Sequence, residues 1–220
     1  MDEINPQIPW YRKISAVVFK HGVLKGVGTT LFISVFFAAY FYLLKNPAYP
    51  TTVMPVIWLD RLISFQPWAL PIYASIWVYV SLPPALLATR RALYFYGMAM
   101  AAMCLVGLLV FYFWPTTVPA ADIDWTRYPD VVFLKSIDAS GNACPSLHVA
   151  TAVFSAVWSH HLLRRFGVPP WILIFNWAWC IGIVYSTLAT RQHVAVDVLA
   201  GLLLGMLAAY LSLRRARTRA

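Results

Sequence analysis

Charged side chains are scarce in this sequence of 220 residues, of which Asp, Glu, Lys and Arg make up only 11%. A soluble domain carries about 25% charged residues, because a polar surface must separate the apolar core from water. Hydrophobic residues make up 61% of the chain, and the mean hydropathy is +0.68. The composition therefore excludes an ordinary soluble globule and predicts a protein whose solvent is the lipid bilayer.

Cysteine is rare as well, with single residues at positions 104, 144 and 180. No two of them form a CxxC pair, so the sequence gives no sign of a thiol-based metal or redox site. Cys104 and Cys180 lie in apolar runs and are interpreted as small buried hydrophobic residues. The first ten residues also lack the basic start and short apolar core of a cleaved signal peptide.

Acidic residues are outnumbered: 8 Asp and Glu stand against 17 Lys and Arg, giving a formal net charge of +9. An excess of basic residues is one sign of nucleic-acid binding. Here they form short clusters between apolar runs, with no basic stripe and no base-stacking motif, so we expect no nucleic-acid partner. Such clusters are typical of the cytoplasmic loops of membrane proteins.

Six apolar runs approach the ~20 residues that a helix needs to cross the hydrocarbon layer. They are continuous rather than alternating, and an open sheet cannot cross lipid. We therefore predict an all-α, polytopic membrane protein with a six-transmembrane helix bundle. The runs cover approximately 27–44, 70–88, 93–114, 147–163, 171–188 and 194–213. Pro83 and Pro84 predict a kink in the second run, and 53–68 is interpreted as a loop or interfacial segment.

The basic clusters also predict the orientation of the bundle. They are Arg12, Lys13, Lys20 and Lys25 before the first run, Arg90 and Arg91, Arg164 and Arg165, and four arginines after the last run. The positive-inside rule then places both termini in the cytoplasm. The chain divides into a cytoplasmic amphipathic segment (1–26), the six-helix domain (27–213) and a basic tail (214–220). We expect a bacterial inner (plasma) membrane protein.

One motif of chemical interest begins the fourth run, on the predicted outer side. It reads Asn142-Ala143-Cys144-Pro145-Ser146-Leu147-His148. Pro145 suits the first turn of a helix, where a missing N–H has no cost. The N–H groups of that turn can bind an anion, and His148 would lie beside it.

A second motif, His193 to Asp197, begins the sixth run on the same side. A spacing of four places both side chains on one helical face. A carboxylate next to an imidazole selects its tautomer and stabilises its cation, as a nucleophilic or basic histidine requires. Ser186 and Arg191 precede this pair and could donate hydrogen bonds to phosphoryl oxygens.

Two other interpretations of these residues were weighed. A single histidine near a membrane interface is more often a packed polar residue, but a carboxylate inside a span is costly and usually functional. Two histidines and one aspartate could also bind zinc. No HExxH-like spacing is present, so we expect no metal ion and no cofactor.

These residues resemble the type 2 phosphatidic acid phosphatase superfamily over roughly residues 114–205. The family motif Pro-Ser-x-His is matched by Pro145, Ser146 and His148. The family motif of Ser-Arg, five residues, His, three residues and Asp is matched in spacing by Ser186, His193 and Asp197. The stretch Pro-Ser-Leu-His-Val-Ala is also similar to the branch related to inositol phosphorylceramide synthase. Six spans with outward-facing motifs agree with the family architecture.

The sequence departs from the family at two cationic positions. Thr187 stands where the family has arginine, and the family's Lys and Arg-Pro motif has no counterpart near the outer end of the third run. Arg191 is therefore the first candidate for a phosphate ligand, together with Ser146 and Ser186. The weaker candidates for that role are Thr187, Asn142, Lys135 and Arg127.

The resemblance implies a mechanism as well as a substrate class. His193 would attack phosphorus, Asp197 would hold the other ring nitrogen, and His148 would protonate the leaving alkoxide. We expect a lipid phosphatase for a phosphate monoester or pyrophosphate. The alternatives are a phosphotransferase moving a phospho-alcohol headgroup to a lipid acceptor, a catalytically inactive transporter or scramblase, and a structural membrane partner. The sequence leaves the oligomeric state open.

Overall fold

The computed structural model describes residues 8–130 and 141–218, and almost all regular structure there is helical. In chain order the elements are α1 (Trp10–Val18), α2 (Gly22–Lys45), β1 (Thr52–Val53), α3 (Trp58–Leu62), a 3₁₀ turn (Pro67–Ala69), α4 (Leu70–Ala74), α5 (Ile76–Tyr79), α6 (Leu82–Ala85), α7 (Arg90–Phe113), β2 (Thr116–Thr117), a second 3₁₀ turn (Trp125–Arg127), α8 (Leu147–Phe166), α9 (Pro170–Ala189) and α10 (Ala195–Thr218). The all-α prediction holds for these residues.

Five of the six predicted runs form single helices, namely α2, α7, α8, α9 and α10. Within the described ranges, α2, α7, α9 and α10 are long and apolar enough to cross a membrane. They identify the chain as an integral membrane protein. The helix α8 is central, because α7, α9 and α10 all pack on it and most of its residues are buried.

The ends of α8 show why this segment is helical where it is. Ser146 caps the beginning, and its Oγ accepts a hydrogen bond from the N–H of Val149 at 3.3 Å. Gly167 follows the last turn with φ of 74°, a left-handed conformation that glycine adopts without steric cost. The N–H of Val168 then donates to the carbonyl of Leu163 at 3.4 Å, which closes the helix.

The second predicted run is not one helix. It divides into the first 3₁₀ turn, α4, α5 and α6, with breaks at Ser75 and Ser81 besides the proline pair that the sequence singled out. Each serine hydroxyl donates to a carbonyl of the preceding turn, at 2.6 and 2.9 Å, and such bonds compete with regular helix formation. Proline removes further backbone donors. The prediction of one helix with a single kink was therefore wrong.

Two short strands connect the loops at one end of the bundle. The strand β1 pairs with β2 in parallel, with Thr52 opposite Thr116 and Val53 opposite Thr117. Thr117 also forms an antiparallel bridge with Gly141. The loop after α2, the loop after α7 and the segment before α8 are thereby held together beside the first turn of α8.

The helix α10 packs on α8 through two glycines. A Cβ atom at Gly201 would overlap the carbonyl oxygen of Ser146, and one at Gly205 would lie 2.5 Å from the carbonyl oxygen of Ala150. The missing side chains let the two backbones approach this closely. Further along, the indole N–H of Trp158 donates to the hydroxyl of Ser212 at 3.0 Å. The first turns of α8 and α10 are therefore adjacent.

Helices continue towards both ends of the described chain. The amphipathic helix α1 packs Trp10, Ile14 and Val17 against the core around α8. The helix α2 begins at Gly22 and so extends into the segment predicted as N-terminal, and α10 continues through Thr218 into the predicted tail.

Candidate active site

His193 and Asp197 lie next to each other where α10 begins. The Nδ1 atom of His193 is 3.5 Å from the Oδ2 atom of Asp197, and their side chains are 9% and 0% exposed. The same Oδ2 accepts a hydrogen bond from the N–H of Val194 at 3.1 Å, which fixes the carboxylate. The other ring nitrogen of His193, Nε2, is then the one available to a reacting group.

The turn between α9 and α10 determines where His193 stands. The carbonyl of Thr187 accepts hydrogen bonds from the N–H groups of Gln192 and His193, at 3.0 and 3.2 Å. Arg191 adopts φ of 57° so that the chain can reverse there. The hydroxyls of Ser186 and Thr187, both buried, donate to the carbonyls one turn earlier, at 2.6 and 2.8 Å. The hydroxyls of these two predicted phosphate ligands are therefore engaged with carbonyls of α9.

His148 lies in the first turn of α8. The helix begins at Leu147 with Ser146 as its cap, so Pro145 precedes the helix rather than forming its first turn. The expectation that Pro145 belongs to the first turn was wrong, because Ser146 is the cap and the helical residues begin only at Leu147. The N–H of Ser146 donates to the carbonyl of Asp197 at 3.1 Å, which joins the two motifs through their backbones.

The two histidines face each other across a short gap. Their ring centroids are 6.3 Å apart and the planes are inclined by 55°. On its other side His148 stacks on Tyr73 of α4, with centroids 4.4 Å apart, and the Tyr73 hydroxyl is 3.3 Å from His148 Nδ1. One small group between the rings could therefore contact both imidazoles, as nucleophilic attack and proton donation at the same ester require.

Asp60 is a residue of this region that sequence reasoning did not select. Its carboxylate is 2% exposed. One oxygen accepts from the N–H of Ala195 at 2.7 Å, the other from the N–H of Ile57 at 2.8 Å. An anion at a helix N-terminus is stabilised by the free N–H groups and the helix dipole. A single acidic residue in an otherwise aromatic and apolar stretch was the sequence signal that could have identified Asp60.

Arg191, the predicted phosphate ligand, contacts the same loop. Its Nη1 donates to the carbonyl of Asp60 at 3.0 Å and its Nη2 to the carbonyl of Ile63 at 2.8 Å. A guanidinium has five N–H donors in a fixed fork. At least two of them therefore hold the loop around α3 against the turn that carries His193.

The weaker candidates are more scattered. Asn142 is buried, adopts φ of 51°, and donates through Nδ2 to the carbonyl of Tyr40 at 3.0 Å. Arg127 forms an ion pair with Asp124 at 3.0 Å on the surface, with 76% of its side chain exposed. Lys135 lies outside the described residues.

Cys144, in the first motif, is held beside the two strands. Its N–H donates to the Thr116 hydroxyl at 2.8 Å, and its side chain is buried. Burial, and secondly the charge of Asp197, raise the pKa of the Cys144 thiol to about 11. At neutral pH this cysteine is therefore an uncharged thiol close to the Asp197 carboxylate. In the described part of the chain, no three side chains of His, Cys, Asp and Glu are grouped as a metal site would need.

The sequence of this chain also matches a known protein family. The family model described as the PAP2 superfamily matches residues 88–220, more than half of the chain. No curated protein and no solved structure matches the chain. The matched residues include α7 to α10, and with them both histidine motifs. Membership of this superfamily implies a phosphatase or phosphotransferase that acts on lipid phosphate substrates. We conclude that this chain belongs to the PAP2 superfamily.

Proposed function

We propose that this protein is a membrane-bound lipid phosphatase that hydrolyses a lipid phosphate monoester or pyrophosphate through a phosphohistidine intermediate. The observation that carries the proposal is the buried His193–Asp197 pair facing His148 at 6.3 Å between ring centroids. Both histidines line one apolar cavity. A phosphate bound between the rings therefore has a nucleophile and a proton donor, and its lipid portion has an apolar space beside it.

In the first step, Nε2 of His193 attacks phosphorus and the P–O bond to the lipid breaks. A proton on Nδ1 of His193 lies beside the Asp197 carboxylate, 3.5 Å away; this keeps the lone pair on Nε2 and stabilises the positive ring. His148 gives its proton to the leaving alkoxide. Proton transfer by a placed histidine contributes typically about 10²–10⁴-fold.

In the second step, His148 removes a proton from water, and the resulting hydroxide attacks the phosphohistidine. The P–N bond breaks, inorganic phosphate leaves, and both histidines return to their initial states. No metal ion takes part in this scheme. Ser146, Ser186 and Arg191 are proposed as phosphate ligands, with Thr187, Asn142, Arg127 and Lys135 as weaker candidates.

The proposal includes a topology. Six spans would cross the membrane, with α8 and the α4–α6 segment completing the four long apolar helices. The basic clusters favour cytoplasmic termini and a site that faces the periplasm or exterior of a bacterial inner membrane.

Headgroup transfer of the inositol phosphorylceramide synthase type is the second candidate, and one observation favours it. Thr187 occupies the family's arginine position, and its hydroxyl donates to the carbonyl of Val184. A site with one cation fewer suits a phosphodiester, which carries one negative charge, better than a doubly charged monoester. In this case an alcohol, instead of water, would receive the phospho-group from the donor.

The test is inorganic phosphate release from a panel of lipid phosphates and pyrophosphates, in detergent with a chelator. We expect release by the wild type, loss of release in His193→Ala, and unchanged release in the matched control His160→Ala. His160 lies in α8 like His148, but its ring accepts a hydrogen bond from Trp177, far from the site.

Other outcomes separate the alternatives. No release by the wild type would contradict the phosphatase, and transfer from a phospholipid donor to an added alcohol would then establish the transferase. If the protein is a transporter or scramblase with an inactive site, neither reaction should occur, and lipid movement should persist in His193→Ala.

A further inference from the structure

An apolar cavity of about 460 Å³ leads away from the two histidines. His148 and His193 line one end, and Lys25 lines the other. Most of the remaining wall comes from α2, α5 and α7. The wall contains mainly aromatic and aliphatic side chains, including Phe32, Phe36, Phe37, Ile76, Trp77 and Met100.

One face of α2 forms a continuous side of this cavity. The lining residues of α2 recur as neighbouring pairs four positions apart, Leu24 and Lys25, Gly28 and Thr29, Phe32 and Ile33, Phe36 and Phe37, Tyr40 and Phe41. That spacing is one stripe of an α-helix. The helix rises by about 24 Å over the sixteen steps from Lys25 to Phe41, most of the ~30 Å thickness of the hydrocarbon layer. The cavity is thus long and narrow, and we call it the α2 groove.

The end of the α2 groove away from the histidines is closed by hydrogen bonds. The ammonium group of Lys25 donates to the carbonyls of Val17 and Ala85, both at 2.8 Å, and to that of Val18 at 3.3 Å. These contacts join α2 to the end of α1 and to α6. An extended apolar ligand that starts at the histidines therefore meets a defined stop.

We propose that the α2 groove binds one hydrocarbon chain of the substrate, extended from the phosphate between the histidines towards Lys25. This inference rests on the proposed function, since it assigns the place of the lipid portion of that same substrate. The continuity of the groove with both imidazoles supports it, as do its apolar wall and its length. A volume of about 460 Å³ spread over a length of about 24 Å leaves a narrow channel, which suits a single chain.

The groove also gives the enzyme a chain-length preference. A short chain leaves the part near Lys25 unfilled, whereas a long one buries its whole length there. Two glycines allow this to be tested, because Gly28 and Gly97 line the groove and a Cβ atom at either position would meet nothing within 4 Å. A side chain added at either position therefore begins in open space, and leucine is the variant chosen to fill part of the groove. Gly26 offers the same open space but does not line the groove.

The experiment compares phosphate release from octyl, dodecyl and hexadecyl phosphate by the wild type, Gly28→Leu, Gly97→Leu and the control Gly26→Leu. We expect kcat/KM of the wild type to rise with chain length. Gly28→Leu and Gly97→Leu should lower kcat/KM for hexadecyl phosphate by about tenfold, the scale of a methylene-sized misfit in a pocket, and spare octyl phosphate. The control should follow the wild type at every length.

Groove variants that match the control at every chain length would overturn the inference and leave the phosphatase proposal standing. If the wild type releases no phosphate at all, the proposed function fails, and a binding experiment then tests separately whether the α2 groove holds a hydrocarbon chain. Hexadecyl phosphate with a diazirine at the chain end should label α2 or α7 near Gly28 and Gly97, in competition with unlabelled hexadecyl phosphate. Labelling confined to the outer faces of α9 and α10, or labelling without competition, would show that ordinary bilayer or detergent chains surround the protein and would refute the inference.

Discussion

The carboxylate of Asp60 accepts a hydrogen bond from the N–H of Ala195 at 2.7 Å, across 135 positions of sequence. This contact holds the first turn of α10 against α3, two residues after His193. We expect Asp60→Ala to lower the free energy of unfolding by about 1–3 kcal/mol, since the buried N–H of Ala195 and the partly buried N–H of Ile57 lose their partner. Phosphate release should fall with it, and Asp60→Asn, which keeps one acceptor oxygen, should lose less.

Thermal unfolding in detergent, followed by tryptophan fluorescence, measures this effect. Asp124→Asn is the matched control, because the carboxylate of Asp124 is exposed and its partners, Arg127 and Thr126, are local surface residues. An unchanged unfolding midpoint and rate in Asp60→Ala would rule out the anchoring role.

Replacing the carboxylate beside His193 should affect the chemical step. Asp197→Asn preserves the size of the side chain and an acceptor for the N–H of Val194. The amide cannot stabilise the cationic ring and favours the other tautomer, so we expect kcat to fall by about 10²–10⁴-fold. KM should change little, because Asp197 contacts the histidine rather than the substrate. A variant with normal kcat and a raised KM would mean that Asp197 serves binding instead.

Tyr73 should support His148 through its hydroxyl and its ring. In Tyr73→Phe the stacked ring remains and the contact between the hydroxyl and Nδ1, 3.3 Å long, is lost. A hydrogen bond of this kind contributes about 0.5–1.5 kcal/mol, which corresponds to a roughly threefold to tenfold fall in kcat. Tyr73→Ala, which also removes the ring, should lower kcat further. Steady-state rates of phosphate release distinguish the two, and equal rates in all three proteins would refute the role.

The glycine contact between α8 and α10 should tolerate no methyl group. Gly201→Ala would push a Cβ atom into the carbonyl oxygen of Ser146, at a cost of about 1–3 kcal/mol for overpacking. The shift should also lower activity, because Ser146 caps the helix that bears His148. Gly26→Ala is the contrasting variant. It meets open space in an exposed helix and should stabilise the fold by about 0.5–1 kcal/mol. The two variants should therefore shift the unfolding midpoint in opposite directions from the wild type. A shift in the same direction would contradict this account.

Sequence patterns predicted the long helices because a helix in lipid needs a long apolar run, which any hydropathy reading detects. They failed at 70–88, where the run is just as apolar but Ser75 and Ser81 compete for backbone carbonyls. Helix ends were also missed. Lys25 was assigned to a polar segment, yet its ammonium group finds three carbonyl partners and α2 includes it.

Motif spacing predicted that His193 and Asp197 share a helical face. Their side chains do lie together, 3.5 Å apart, but His193 precedes α10, which begins at Ala195, so the turn before the helix brings them together. No local pattern predicted Tyr73 or Asp60. Each acts through a contact with a residue far along the chain, 75 and 135 positions away. Periodicity reports which face of a helix is apolar, but not which other segment will cover it.

The family match begins at residue 88, in the loop between α6 and α7. The two histidines and Asp197 fall after that boundary, whereas Asp60 and Tyr73 fall before it. The part of the chain that the family model matches is therefore smaller than the part that builds the candidate site. A fragment limited to the matched residues would keep every motif and still lack the anchor of α10, the ring behind His148 and the α2 wall. Separately produced halves, cut in that loop, should regain activity only when they assemble together.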